Sequence, residues 1–374
     1  MDLRNLKSVF IIAEIGQNHQ GDIGKAKEMI LEASRAGVDC VKFQKSCLEA
    51  KFTKSALERP YNSVNAFGAT YGKHKSFLEF TIEQFKELKD YAESCGLVFS
   101  ASAMDQVSFD ELKQLGLQFI KIGSGDTNNI PMIRYISKQN VSLIVSTGMQ
   151  TDATIKKVHD ILKDSNANFA LLHCISSYPT STEDTKLNYI IYFQKHFPNI
   201  PIGYSGHEKG IECSCLAVLM GARILERHFT LDKNQKGSDH CSSLDASELH
   251  ALVKKVRLIE KNVNGVIPND LLCSTVTDLN LFECPRGFVE KACQPVEDTP
   301  KSIFPCELAC KQKLGKSLVF ARDMKKGQCL IADDIGVKVS EPNGIPAEFY
   351  DDVVGKVLMR DVFHDEAVME CDVN

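Results

Sequence analysis

The chain has 374 residues, 43% hydrophobic and 25% charged, with a net charge of −5. That length holds one large domain plus a smaller one, and the composition excludes a globally disordered chain. The acidic balance argues against nucleic acid or an anionic membrane as partner, so an anionic substrate would need a local cluster of lysines.

The first apolar run, 9–15, is broken by Glu14 and is too short for a signal h-region. No later apolar run reaches the ~18 residues of a membrane span. Cys40, Cys95, Cys174 and Cys215 sit within or beside apolar patterns, as free buried thiols do. Together these features predict a cytoplasmic protein, in which the sequon Asn140-Val141-Ser142 stays unused.

Short apolar runs at 9–15, 40–43, 97–101, 119–122, 143–146, 169–173, 202–205 and 224–228 read as strands. Amphipathic stretches at 25–36, 82–94, 107–115, 155–163 and 189–196 separate most of them, and a last helix spans 246–263. This alternation has the count of a (β/α)8 TIM barrel in roughly 260 residues. A doubly wound open sheet is the alternative, but no G-x-G-x-x-G follows the first strand. Gly315-Lys316-Ser317 is not a phosphate loop either, because Cys310 stands where that motif needs glycine.

The polar residues favour the barrel. Glu14 ends the first run, and Lys42 and Gln44 close the second on one face by strand parity. Lys121 leads into Gly123-Ser124-Gly125-Asp126, while Ser146, His173, Ser205 with His207, and His228 close the later runs. Barrel enzymes collect their chemistry at this end of the strands. Residues 202–228 form a strand–helix–strand unit whose strands are parallel neighbours by the right-handed crossover rule. His207 and His228 then converge at one rim, which suits a divalent metal with open positions. Two rim histidines bonded to backbone are the plain alternative. Barrel closure sets Glu14 beside them.

The segment 49–77 shows little periodicity and reads as a lid-like loop. It offers Lys73 and Lys75 to a phosphate, or simply to solvent. Residues 264–310 carry Pro268, Pro285, Pro295 and Pro300 and read as a linker with an insertion between a domain at 1–263 and a small one at 311–374. The gaps between Cys273, Cys284, Cys293, Cys306 and Cys310 do not pair as a zinc module. Short β-like runs at 317–321, 336–339 and 357–360 predict a compact, mostly non-helical end.

Taken together, the motifs resemble the sialic acid synthases. They are Ala13-Glu14-Ile15-Gly16 with Asn18-His19, Val41-Lys42-Phe43-Gln44, Lys121 with Gly123-Ser124-Gly125-Asp126, and Ser146-Thr147-Gly148-Met149. Tyr178-Pro179, Gly203-Tyr204-Ser205-Gly206-His207 and Glu226-Arg227-His228-Phe229-Thr230-Leu231-Asp232 complete the set. The likeness spans the barrel nearly end to end and resumes at Leu314-Gly315-Lys316-Ser317, in what resembles the family's antifreeze-like (SAF) domain.

The resemblance implies condensation of phosphoenolpyruvate with N-acetylmannosamine or its 6-phosphate, with a divalent metal, manganese or magnesium. Animal-type members take the phosphorylated sugar, giving N-acetylneuraminate 9-phosphate and phosphate, with mannose 6-phosphate as a possible second substrate. The chain is similar to them in Gly125-Asp126-Thr127-Asn128-Asn129; bacterial members usually have Glu at the Asp126 position and often Asn at that of Ser176. The implied roles are metal ligation by His207 and His228, and catalysis by Glu14, Asp126 and His228. Lys42, Gln44, Lys121, Ser124, Ser146, Ser176, Tyr178, Ser205 and Asp239 would bind substrate, with Lys73 and Lys75 on the sugar phosphate. The SAF domain would reach across a domain-exchanged homodimer, where Lys338 is the nearest cation to an arginine that bacterial members use. Rival readings are another phosphoenolpyruvate-condensing sugar-acid synthase and a catalytically dead binding protein.

Overall fold

The computed structural model describes residues 1–283, 287–293 and 299–374. Strands β1 (Phe10–Gly16), β2 (Cys40–Lys45), β3 (Val98–Ala103), β4 (Ile120–Ile122), β5 (Leu143–Ser146), β6 (Phe169–Cys174), β7 (Ile202–Gly206) and β8 (Ile224–His228) close into a barrel. Each is parallel to its neighbours, and β8 pairs with β1 so that Glu14 lies opposite His228. The expected (β/α)8 barrel is the fold that forms.

Strand parity sorts the side chains into two cores. Phe10, Ile12, Cys40, Phe119, Ile144, Ala170, Leu172 and Ile224 pack inside the barrel. Ile11, Ala13, Val41, Phe43, Val145 and Leu225 face outward and join the main core with the surrounding helices. On five strands an inward group at the C-terminal mouth lies two residues beyond an inward apolar residue. Ile12 is followed in this way by Glu14, Cys40 by Lys42, Phe119 by Lys121, Ile144 by Ser146 and Ile224 by Glu226. The helices close the outer layer. Ile23–Ala36, for example, is capped by the Asp22 carboxylate and stopped at Gly37, whose φ of 83° lies in the left-handed region. No helix among the described residues is long and apolar enough to cross a membrane.

Two stretches differ from expectation. Segment 49–77 is not an open loop: it contains the helices Lys54–Glu58 and Tyr71–Leu78, capped by Thr53 and Thr70, after the turn of helix Leu48–Lys51. Phe52, Ala56, Tyr71 and Val339 form a small core beneath them. Helices this short carry one or two apolar anchors each, too few to show a period. Within 264–310, two described helices likewise pack on the barrel. Helices Asn269–Asp278 and Phe288–Ala292 place Leu272, Val276, Val289 and Ala292 in the main core. Cys284, Pro285 and Pro295, on which part of the linker and zinc readings rest, lie outside the described residues. The described cysteines are free thiols.

The C-terminal unit has its own core, built from Leu318, Phe320, Leu330, Val353, Leu358, Val362 and Val368, and an antiparallel pair, β9 (Ser317–Phe320) with β10 (Ile335–Lys338). Residues 357–360, expected as a strand, contribute only isolated bridges from Val357 and Leu358. The resemblance implies a unit that covers a partner's barrel; in this structure it covers the mouth of its own. Val339 bridges Phe52, Asn128 donates to Glu348 at 2.7 Å, and Arg134 donates to both oxygens of Asp351 at 2.6 and 2.8 Å.

Candidate active site

A cavity of about 470 Å³ opens at the C-terminal ends of the barrel strands. Its floor is a network of buried charges. The Lys42 ammonium lies 2.5 Å from Glu14 Oε2, donates to Ser102 Oγ at 2.8 Å and stands 3.8 Å from Glu226 Oε1. Lys121 reaches the same Glu226 oxygen at 3.2 Å, and Ser205 donates to it at 3.3 Å. Gln44 donates to Glu14 Oε1 at 3.0 Å. Two cations and two anions thus neutralise each other in the dark of the barrel, where an unpaired charge would be costly.

These environments push the carboxylates apart. Burial raises Glu226, but Lys121 and Lys42 overcome it and hold the group down at about 2. Glu14 goes the other way: burial raises it, and Lys42 does not offset burial and the repulsion from Glu226 together. Burial likewise lowers the Lys121 ammonium, against the pull of Glu226.

His207, just past β7, and His228, at the end of β8, bring their rings to 5.5 Å between centroids. The His207 Nδ1 is bonded to the Ile175 carbonyl at 2.9 Å, which fixes the ring, and the side chain also meets the Cys174 thiol. His228 Nδ1 is buried with no hydrogen-bond partner. Burial first, then His207 and Lys42, lower His228 to about 4, so it stands as a neutral imidazole. Among the described residues no third protein group completes a metal cluster. Two imidazoles on one wall of the cavity are a donor set that would fit a divalent cation.

Hydroxyls complete the wall. A Cβ on Gly148 would lie within 3.2 Å of Ser124 Oγ, Ser176 Oγ and Cys174 Sγ, so the bare backbone at this position lets three polar groups converge. Ser146 Oγ and Ser176 Oγ are buried without partners. Tyr178 packs over His207, with ring centroids 4.1 Å apart. Asp126 is ion-paired with Lys316 at 3.1 Å, tying the start of the C-terminal unit to the rim. Asp239 is held down despite burial, chiefly by His228.

Glu14, Lys42, Gln44, Lys121, Ser124, Asp126, Ser146, Ser176, Tyr178, Ser205, His207, His228, Asp239 and Lys75 all line this one cavity. Lys73 does not: it is exposed in the first turn of its helix, packed beside Gly68. Helical geometry turns Lys73 and Lys75 to different faces. Lys338 pairs with Asp365 at 2.6 Å, away from the cavity. His173 points outward, bonded to the Thr185 carbonyl, and its neighbour Cys174 faces the site. Sequence reading also passed over Ser102 and Glu226. Both were within reach of the parity rule, Glu226 being two residues before His228. Lys51, Tyr71, Lys313 and Lys316 arrive only through tertiary folding.

Comparison with known proteins extends from motifs to the whole chain. The model of the NeuB family matches residues 29–267, and that of the SAF domain residues 315–374. The chain is 48% identical over 363 residues to an N-acetylneuraminate-9-phosphate synthase of Drosophila melanogaster, covering 97% of this chain and 95% of that one. A Homo sapiens protein of the same name is 46% identical, over 96% of this chain and 91% of that one. Among solved structures, the spore coat polysaccharide biosynthesis protein spsE of Bacillus subtilis superposes with a TM-score of 0.76 at 25% identity, covering 98% of this chain and 95% of that one. Because the match runs through both the barrel and the unit that covers its mouth, the chain belongs to the NeuB family and carries a SAF domain.

Proposed function

We propose that the chain condenses phosphoenolpyruvate with N-acetylmannosamine 6-phosphate, yielding N-acetylneuraminate 9-phosphate and inorganic phosphate. One observation carries this reading: two buried lysines, bridged by Glu226, meet two rim histidines in one cavity, in a chain nearly half identical to synthases of that name. The rival sugar-acid synthases and a dead binding protein are not favoured beside that.

The residues divide the work. Lys42 and Lys121 receive the carboxylate and phosphate of phosphoenolpyruvate, with Ser102, Ser124, Ser146 and Ser205 donating to the remaining oxygens. Asp239 and Tyr178 face the sugar beside His207 and His228. When bound, a divalent metal on His207 and His228 supplies a Lewis acid for the sugar carbonyl. The enol carbon forms the new C–C bond to that carbonyl carbon, whose oxygen becomes a hydroxyl on taking up a proton. Water then adds to the former C2 of phosphoenolpyruvate, and the C–O bond to phosphate breaks. Of the two protons that water brings, Glu14, whose burial favours holding a proton, takes one and passes it to the departing phosphate. The other, lost as the hemiketal hydroxyl becomes the ketone, balances the one taken up by the new hydroxyl. Phosphoenolpyruvate, sugar aldehyde and water thereby balance against sugar acid and phosphate.

Two further readings accompany this one. The free thiols among the described residues support a cytoplasmic enzyme. A homodimer that exchanges its SAF domains could supply the rim contacts seen here within one chain.

The test is mass-spectrometric detection of the nine-carbon acid phosphate, with stoichiometric phosphate release, from phosphoenolpyruvate, N-acetylmannosamine 6-phosphate and Mn2+. No product with this sugar, and turnover with arabinose 5-phosphate instead, would overturn the reading. For the metal, titration of Mn2+ followed by its paramagnetic resonance signal is expected to show binding weakened by about tenfold or more in His228→Ala. Unchanged affinity would move the metal elsewhere.

A further inference from the structure

The outer part of the cavity holds cations that the condensation does not use. Lys51, Lys75 and Lys313 all line it. Their neighbour on the same rim, Lys316, is neutralised by Asp126. These three meet only neutral acceptors: Lys51 the Met104 sulfur at 2.6 Å, Lys75 the Gln17 side-chain oxygen at 2.8 Å, and Lys313 the Tyr61 hydroxyl at 3.5 Å. Among the described residues no carboxylate lies within ion-pairing distance of any of them.

Lys51 is the sharpest case. It is buried, with 6% of its surface exposed, and a thioether is a poor partner for an ammonium with three donors. Burial brings it down to about 8, with Asp126 opposing and Lys75 and Lys316 adding to the shift. A cation left this way is relieved by an incoming anion.

Tyr71 supplies a second, independent sign. It is 1% exposed and lines the cavity, yet its hydroxyl has no hydrogen-bond partner. Its ring also gathers two of the ammoniums, Lys75 Nζ at 5.7 Å and Lys313 Nζ at 5.9 Å from the centroid. Packing against Phe52 explains the ring but not the orphaned oxygen. An oxyanion with several acceptor oxygens satisfies the hydroxyl and the ammoniums at once.

We propose that Lys51, Lys75, Lys313 and the Tyr71 hydroxyl form the subsite for the phosphate monoester at the far end of the sugar, whose carbonyl end lies toward His207 and His228. This rests on the reading of a sugar phosphate as second substrate. Asp239, in the same cavity and drawn on by Lys75, is left for sugar hydroxyls. Lys313 belongs to helix Leu308–Leu314, which leads into the SAF domain. The phosphate therefore touches the segment that closes the mouth, and its recognition is shared between barrel and cap.

The experiment compares kcat/KM for N-acetylmannosamine 6-phosphate and for unphosphorylated N-acetylmannosamine, at saturating phosphoenolpyruvate, in the full-length protein and in Lys51→Met, Lys313→Met and Tyr71→Phe. The unchanged protein is expected to prefer the phosphorylated sugar. Each lysine substitution is expected to cut that preference by about tenfold or more, and loss of the single hydroxyl by about threefold, chiefly through KM. Lack of preference in the unchanged protein would overturn the sugar-phosphate reading itself. A preference retained in all three variants, or equal losses on both sugars, would overturn the subsite and leave that reading standing. Tyr71→Phe removes one atom, so it decides the matter even where a lysine variant does not fold.

Discussion

Lys42 sits between two carboxylates, and its position decides what each of them can do. Glu226 shares its oxygen with a second lysine and stays ionised, an anchor that keeps both ammoniums charged until substrate arrives. Glu14 has one lysine, a neutral amide from Gln44 and a like charge nearby, so burial prevails and a proton is within its reach. Paired groups driven apart in this way mark acid–base assignments. Glu14→Gln is therefore expected to lower kcat by about 10²–10⁴ while the phosphoenolpyruvate KM moves little. A loss confined to KM would make Glu14 only the holder of Lys42. At this scale the sequence was legible wherever parity could be applied. Lys42, Lys121 and Ser146 each follow an inward apolar residue by two. Ser102 was missed because the third run was ended at residue 101, whereas β3 continues to Ala103. His173 drew attention by its chemistry, yet parity sends it outward to the helices and brings Cys174 in.

Between elements, the legible features were those with a period. Strands alternate and the long helices carry a face, but helices such as Lys54–Glu58 and Asn269–Asp278 owe their place to a few buried anchors. Leu272 is fully buried in the main core. Leu272→Ala is expected to cost about 2–5 kcal/mol in urea unfolding of the barrel; a change below about 0.5 kcal/mol, the scale of a surface substitution, would restore the linker reading. The contact between barrel and cap turns on Asp351, which takes both Arg134 nitrogens and also Lys157 at 2.8 Å. The hydrogen bonds from Arg134 lead in lowering it from 3.8 to about 2, burial opposing and Lys157 adding. A group depressed on folding stabilises above its unfolded value and loses that contribution as pH falls toward the folded one. Docking of the cap is thus expected to weaken between about pH 4 and 2, followed by hydrogen exchange in helix Leu308–Leu314. Asp351→Asn should remove that pH dependence; because the pair is partly exposed, the effect should also shrink in salt. An identical pH profile in the variant would place the docking energy elsewhere.

Across the whole molecule, a packed barrel supplies rigid strand ends and a small capped domain closes the space above them. The interior apolar layer fixes which side chains reach the mouth, and the SAF domain adds Lys316 to its rim. The barrel and its mouth were foreseeable from one sequence. The seat of the cap was not, because ion pairs such as Arg134 with Asp351 join residues that carry no pattern linking them. The central claim is that phosphoenolpyruvate binds on the lysine pair at the barrel floor. Calorimetric titration of full-length protein with phosphoenolpyruvate alone tests it, comparing Lys121→Met with Lys338→Ala, a cation outside the cavity. Lys121→Met is expected to lose about 1.5–3 kcal/mol of binding free energy, with Lys338→Ala matching the unchanged protein. Undiminished affinity in Lys121→Met would contradict the claim.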